Sequence, residues 1–360
     1  MSAATVLQRK GYKTCIIDSQ VFPREKLCAG VLTVKSIRLL QYIYKDLNLE
    51  NLNIKHINKI VLLNNRETIG KYTLANPYSV INRTEFDNAL LQYYKNIGGL
   101  VFDGQKNYTI AYDKNLVKLS DGNEITYRFL IGADGINSKV RANRWQGWKA
   151  SILCFEKFIP NTTNEDTIKI NFGGMLGGYS WRIPGQDRIG IGLGEFYIKG
   201  MKRKPDKYRK YFNAQGVTDI NGMKGAFVSF GNFVPNPVKQ NILLAGDAAG
   251  LVDAMTGEGI YFAIESGRQA ALAIIELLEK GTPLSTYTNR IKRIHKKIKE
   301  QSIYNKMLYV PILQLISLQH IKKNPEFGQS VLENAVSTYH TGYTKELQQN
   351  KRKKRQSSPI

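Results

Sequence analysis

Twice in this chain an apolar run stops on glycine and a lone carboxylate. In NILLAGDAAG (Asn241–Gly250) the run ends on Gly246-Asp247, and Gly257-Glu258-Gly259 follows a short loop later. In FLIGADGINSKVR (Phe129–Arg141) the run ends on Gly132-Ala133-Asp134-Gly135, with basic residues one turn on. An acid at the carboxyl end of a buried strand can accept hydrogen bonds from the hydroxyls of a bound polyol. Glycines at the following helix start leave backbone N–H groups open to an anion or a polar ligand. The same arrangement also describes a tight strand-to-helix turn with the Asp as an N-cap.

The elements that would hold these residues are legible along the chain. YKTCIID (Tyr12–Asp18) reads as a short buried strand ending on an acid, and the helix formers before it close on Gly11. RTEFDNALLQYYKNIGG (Arg83–Gly99) has apolar residues at three- and four-residue spacing between a Thr N-cap and a Gly stop, an amphipathic helix. Short strands follow in LVFDG, TIAYD and LVKLSDGNEITYRFLIGADG, where Asp121-Gly122 makes a hairpin turn. From Ser151 to about Glu195 apolar and polar residues alternate as in a one-sided antiparallel sheet. After Asn241 the buried strand-and-helix character returns, so the first domain is discontinuous.

Composition bounds the rest. The 360 residues, 42% of them hydrophobic, exceed what a single core usually organises and predict two interleaved domains. Cys15, Cys28, Cys154 and the four His show no metal-ligand or disulfide spacing, so no metal is expected and a reducing compartment is. Neither a secretory leader nor a run long enough to span a bilayer is visible, which points to the cytoplasm. Lys+Arg 52 against Asp+Glu 29 gives +23, concentrated in NRIKRIHKKIK (Asn289–Lys299) and the tail KRKKR (Lys351–Arg355). That excess favours polyanions such as nucleic acid, anionic lipid or a diphosphate without choosing among them, and a solvated basic face is the bland alternative.

GADGINSKVR and LLAGDAAGLVDAMTGEGI resemble the middle and later motifs of FAD-dependent oxidoreductases of the p-hydroxybenzoate hydroxylase type. FPREKLCAGVLT (Phe22–Thr33), INRTEFDNAL and GGYSWRIPGQDRIGIGLG (Gly177–Gly194) are similar to the geranylgeranyl reductase branch, and the resemblance runs to about Tyr309. It implies an α/β fold, α+β overall, with a Rossmann-like parallel-sheet FAD domain interleaved with an antiparallel-sheet substrate domain and followed by C-terminal helices. The boundaries expected are 1–58, 83–148 and 240–282 for FAD binding and 59–82 and 149–239 for substrate. A helical region over 283–340 and a basic tail over 341–360 complete the chain. Such proteins open with a strand and G-x-G-x-x-G that cradle the cofactor diphosphate. Met1 falls just past that fingerprint, so the chain reads as truncated, with weakened FAD affinity if the truncation is real.

Carried over by position, the resemblance gives Asp18 to the adenosine ribose, Arg83 to the cofactor face, and Gly132, Asp134 and Gly135 to the diphosphate side. It gives Gly246, Asp247 and Ala248 to the ribityl chain, and Gly257, Glu258 and Gly259 to N–H donors at the flavin pyrimidine that stabilise the reduced anion. Cys28 is placed beside the isoalloxazine, and Tyr179, Trp181 and Pro184 on the substrate tunnel; a core cysteine and a core strand are the plain alternatives. Ala254 stands where the family has Pro, and Cys28-Ala29-Gly30 replaces C-G-G. The function implied is reduction of isoprenoid C=C bonds in a prenyl diphosphate or prenylated lipid, with NADPH or reduced ferredoxin as donor. Peripheral contact with an anionic membrane is expected through Ile303–Lys323, and no nucleic acid is. Two alternatives stay open. SWRIP resembles part of the W-x-W-x-I-P signature of flavin halogenases, which suggests a monooxygenase, and an inactive FAD-free chain binding polyanions is the other.

Overall fold

The computed structural model describes residues 1–145, 150–175, 178–198, 205–221, 223–229, 231–253 and 255–336. Helix α1 (Ser2–Gln8) leads through a turn at Gly11 to strand β1 (Cys15–Ile17), which pairs in parallel with β5 (Leu100–Phe102). Between them come β2 (Val31–Leu32), α2 (Val34–Ile43), β3 (Ile54–Asn64), β4 (Glu67–Ile81) and α3 (Arg83–Asn96). Asn82, not Thr84, caps α3: its side chain accepts the Thr84 N–H at 3.0 Å. Asn is at least as good a cap as Thr, and the helix starts two residues earlier than the Thr-cap reading requires.

A meander of β6 (Thr109–Ala111), β7 (Leu116–Lys118) and β8 (Glu124–Thr126) includes the expected turn, with Gly122 at φ +89°. It leads to β9 (Leu130–Gly132) and α4 (Lys139–Arg144). Much later, β15 (Val238–Lys239) and β16 (Ile242–Leu244) join this layer, β16 pairing in parallel with β9. The parallel strands therefore lie in two separate sheets, β1-β5 and β15-β16-β9. Helix α6 (Ile260–Lys280) crosses behind them and buries Tyr261, Phe262, Ala270, Ala271 and Ile274 in the largest apolar core. At Gly267 it meets α1 so closely that a Cβ would stand 2.3 Å from Ser2 Oγ.

The second layer is an eight-stranded sheet of order β14-β10-β13-β12-β11-β3-β4-β2. It comprises β10 (Ala150–Pro160), β11 (Thr167–Asn171), β12 (Tyr179–Pro184), β13 (Arg188–Ile198) and β14 (Lys224–Val228) together with β2, β3 and β4 from the first third of the chain. Every pair is antiparallel as the alternation predicts, save β11 with β3, which run parallel because two distant chain segments meet there. One face carries Ile189, Ile191 and Leu193 beneath α5 (Pro205–Ala214), against Tyr208 and Phe212. Helices α7 (Thr286–Arg290), α8 (Lys292–Tyr309), α9 (Pro311–Lys323) and α10 (Pro325–Val336) follow. Pro311 opens α9, and Leu318 and Ile321 anchor that helix on a core shared with β4. The basic tail from Lys351 to Arg355 and Ala254 lie outside the described residues.

Candidate active site

β16 is buried over its whole length, and the chain turns sharply at Gly246, φ +57°, whose N–H bonds Ser266 Oγ of α6 at 2.9 Å. That turn presents the half-buried Asp247 carboxylate to the N-terminus of α6: a Cβ on Gly259 would lie 3.3 Å from Asp247 Oδ1. No group among the described residues donates a hydrogen bond to this carboxylate. Burial pushes its pKa up, and the charges of Lys26 and Arg83 pull it back down. An unpartnered acceptor held between two cations and a glycine-lined cradle is built to receive donors from a ligand.

The earlier motif serves the shape of the same place. Asp134 Oδ2 accepts the N–H groups of Lys139 at 2.7 Å and Val140 at 3.3 Å, so it closes its own turn onto α4. Gly132 lets β9 approach: a Cβ would meet Val140 and Leu244 within 2.9 Å. Gly135 takes φ +80°. Arg141 Nη1 then donates to Ala248 O at 3.1 Å, tying the two motifs together.

A chain of charge crosses the opposite side. Arg83 Nε and Nη2 grip Asp87 at 2.8 Å each, and the Cys28 thiol lies close enough to the guanidinium to favour its charge. Burial opposes the Arg83 charge, but Asp87 and Cys28 more than offset it, so its pKa lies above the ordinary value. Asp87 is reached in turn by Arg24 Nη1 at 3.4 Å, and Arg24 Nε lies 3.6 Å from Asp18. The structure thus links Asp18, Arg83 and Cys28 through Arg24 and Asp87, which lie in the quoted motifs but are given no role there. Gly30 keeps Cys28 in place: a Cβ would sit 2.1 Å from Ile81 O, and Ile81 N–H bonds Gly30 O at 2.9 Å.

The Gly257–Gly259 loop is braced from within. Asp253 Oδ1 accepts Met255 N–H and Thr256 N–H at 2.9 Å each, and Asp253 O accepts Gly257 N–H at 3.0 Å. Glu258 N–H bonds Thr256 Oγ1 at 3.2 Å, while the Gly259 N–H has no acceptor among the described residues. The Glu258 carboxylate turns away from the cradle into a buried ion pair with Lys35 Nζ at 2.6 Å, and Thr33 Oγ1 donates to it at 2.8 Å. Lys35 is a residue without a sequence signal. It sits at the start of α2 and binds to the loop only when the two meet in space.

Tyr179 Oη donates to Thr256 O at 2.7 Å, so β12 borders this loop. On that face of the sheet, register places Tyr179 opposite Gly194 and Cys154, Trp181 opposite Gly192 and Glu156, and Ile183 opposite Gly190 and Phe158. The three glycines leave a furrow in the backbone of β13, flanked by Tyr179 and Ile183 from β12 and by Cys154, Glu156 and Phe158 from β10, and the Trp181 indole lies across it over Gly192 to reach Glu156. Pro184, of opposite parity, lies on the other face.

Residues 1–150 match the family model described as FAD binding domain. That stretch of the chain is thereby an FAD binding domain. Similar over most of its length are an uncharacterized protein of Methanosarcina barkeri, 28% identical over 78% of this chain and 72% of that one, and the menaquinone reductase of Mycolicibacterium smegmatis, 27% identical over 78% and 74%. Digeranylgeranylglycerophospholipid reductase 2 of Methanosphaera stadtmanae is 31% identical over 44% of this chain and 43% of its own. Among solved structures the flavoprotein shares its fold with a geranylgeranyl bacteriochlorophyll reductase-like protein of Thermoplasma acidophilum, TM-score 0.68 at 18% identity over 86% and 84% of the chains. It shares it also with HpxO of Klebsiella pneumoniae complexed with FAD, 0.71 at 14% over 93% and 95%, and with pqsL of Pseudomonas aeruginosa, a probable FAD-dependent monooxygenase, 0.67 at 15% over 90% and 96%. The unpartnered Asp247, the cations Lys26 and Arg83 beside it and the open Gly259 N–H suit a flavin cofactor that presents hydroxyls, a negative diphosphate and ring acceptors.

Proposed function

We propose that this flavoprotein reduces carbon–carbon double bonds of an isoprenoid chain, in a prenyl diphosphate or a prenylated lipid. The observation that carries the reading is the aromatic and apolar face at the glycine row of β13, where Tyr179, Cys154 and Phe158 flank Gly190, Gly192 and Gly194 and the Trp181 indole packs over Gly192. This face is largely apolar and borders the Gly257–Gly259 loop through Tyr179, as a hydrocarbon substrate beside a flavin requires. Bound FAD supplies two-electron chemistry, drawing on NADPH or reduced ferredoxin. Asp247 accepts from the ribityl hydroxyls, Asp18 from the adenosine ribose, and Gly259 N–H addresses the pyrimidine edge of the ring. Gly132, Asp134 and Gly135 would shape the diphosphate side, and Cys28 and Arg83 would face the ring system.

The relatives named as reductases over isoprenoid lipids or quinones support this reading, while pqsL keeps a monooxygenase as the alternative. Oxygen separates them. A reductase converts geranylgeranyl diphosphate under strict anaerobiosis with dithionite-reduced flavin. Turnover that appears only with oxygen, on any substrate, would transfer the assignment to the monooxygenases. Protein that refolds with FAD and shows no visible flavin band would reject both.

We infer also that the protein touches anionic membranes peripherally through α8 and α9. No described helix is long and apolar enough to cross a membrane. The first turns of α9 nevertheless expose Ile312 at 72%, Leu315 at 54% and Ile316 at 60%, next to a helix that exposes Lys292, Arg293, Lys296 and Lys299. Apolar side chains ringed by cations match an anionic interface from which a water-insoluble substrate is collected.

A further inference from the structure

We propose that Glu156 is the acid that delivers the proton in this reduction, a role that rests on the reductase reading. Glu156 projects from β10 into the furrow and is 3% exposed. Its Oε1 accepts the Trp181 indole N–H at 2.9 Å, and Oε2 has no partner among the described residues. Gly190 opens the way to it: a Cβ there would stand 2.9 Å from Oε1. The same glycine lines a pocket with Val80, Phe158, Ile183, Arg188 and Ala29, and Ala29 belongs to the Cys28–Gly30 loop that borders the cofactor site. The carboxyl therefore lies against Gly190, the residue through which this pocket, reaching the cofactor loop, approaches it.

A structural explanation needs only an acceptor for Trp181, and a glutamine would supply it without the cost of desolvating a carboxylate. An acid in this place does something a glutamine cannot. Burial raises the Glu156 pKa to about 7, opposed by the Trp181 N–H and the Arg188 charge. The groups facing it are few. Arg188 stacks on Phe158 at 4.2 Å and bonds Asn82 at 2.7 Å. Cys154 is two residues along the strand, its thiol also raised by burial to about 12, with Cys28 nearby across the gap. Lys224, opposite on β14, is engaged by Glu25. Near neutrality such an acid is present in both forms, able to give a proton and to regain one.

Saturating a double bond adds a hydride to one carbon and a proton to the other. With the hydride drawn from reduced flavin, Oε2–H of Glu156 gives its proton to the second carbon, the O–H bond breaking as the C–H bond forms. The carboxylate left behind is held by Trp181 N–H and the Arg188 field until water reprotonates it. No further oxidant or reductant is needed.

Two readouts test this. Infrared difference spectra of the wild-type protein, without substrate, should show a protonated carboxyl carbonyl band titrating near pH 7 that is missing from Glu156→Gln. With dithionite-reduced flavin and geranylgeranyl diphosphate, Glu156→Gln should lose roughly 10²–10⁴-fold in turnover, along with the wild-type decline above pH 7, while flavin content and flavin reduction hold. Glu156→Asp should recover part of the turnover. Absence of the titrating band, or a Glu156→Gln enzyme with wild-type turnover and pH profile, overturns the proton-donor role alone. Wild-type protein that reduces no prenyl substrate overturns the functional reading with it.

Discussion

The indole N–H of Trp181 reaches the Glu156 carboxylate at 2.9 Å across the middle of β13, because the residue between them is Gly192. A Cβ at Gly192 would lie 2.3 Å from the indole carbons Cε2 and Cζ2. Gly192→Ala should therefore displace the ring, break its bond to Glu156 and cost about 1–3 kcal/mol. The expected result is a lowered urea midpoint with a shifted tryptophan emission. An unmoved spectrum with unchanged stability would mean that the ring does not occupy the furrow.

The raised pKa of Glu156 fixes the sign of a pH effect. A folded-state value near 7 against an unfolded value near 4.5 means the native state holds the proton more tightly, so this group's contribution falls as pH rises through that window. Above pH 7 the ionised carboxylate opposes folding by roughly 3 kcal/mol. Glu156→Gln, which keeps an acceptor for Trp181, should be more stable than wild type at pH 8 and about equal to it at pH 4. Chemical denaturation at the two pH values decides.

Asp247→Ala should weaken FAD retention, because the cofactor hydroxyls lose a charged acceptor contributing about 1.5–3 kcal/mol. Asp121 supplies the control: its carboxylate only bonds Asn123 within the hairpin turn, at 2.9 and 3.0 Å. Titrating both variants with FAD should show affinity lowered about 10- to 100-fold for Asp247→Ala alone. Equal affinity would remove Asp247 from the cofactor site.

Lys35 and Glu258 form an ion pair whose side chains are 5% and 10% exposed. Lys35→Met leaves the Glu258 carboxylate with only the hydroxyls of Thr33 and Ser36, and should cost about 3–5 kcal/mol. Adding Glu258→Gln should recover most of that loss. A single variant as stable as wild type would show that the pair does not brace the Gly257–Gly259 loop.

Co-sedimentation with vesicles tests the membrane face. Binding should require anionic lipid, weaken as salt screens the attraction, and drop when Lys296, Lys297 and Lys299 become Gln. Ile312→Ser with Ile316→Ser should reduce binding at low salt also, since the apolar contact is lost while the charge stays. Binding that ignores both salt and these changes would exclude this face.

What the sequence determined by itself was local. The apolar run ending on Asp247, its counterpart ending on Asp134, the helix after Asn82 and the alternation through Tyr179 and Trp181 each follow from a few neighbouring residues. Strand and helix periodicity are properties of the backbone over short spans. Even there the cap of α3 fell on Asn82, since Asn and Thr cap equally well and only the exit of β4 chooses between them. Tertiary structure decided which residues meet. Lys35 finds Glu258, Arg24 joins Asp18 to Asp87, and β11 runs parallel to β3, all through packing of segments far apart in the chain. Glu156 shows the division most clearly. In the sequence it is one acid in an alternating strand, and nothing local marks it. Only the register of β10, β13 and β12 sets it beside Gly192 and Trp181, and burial in that row, not its position in the chain, is what raises its pKa.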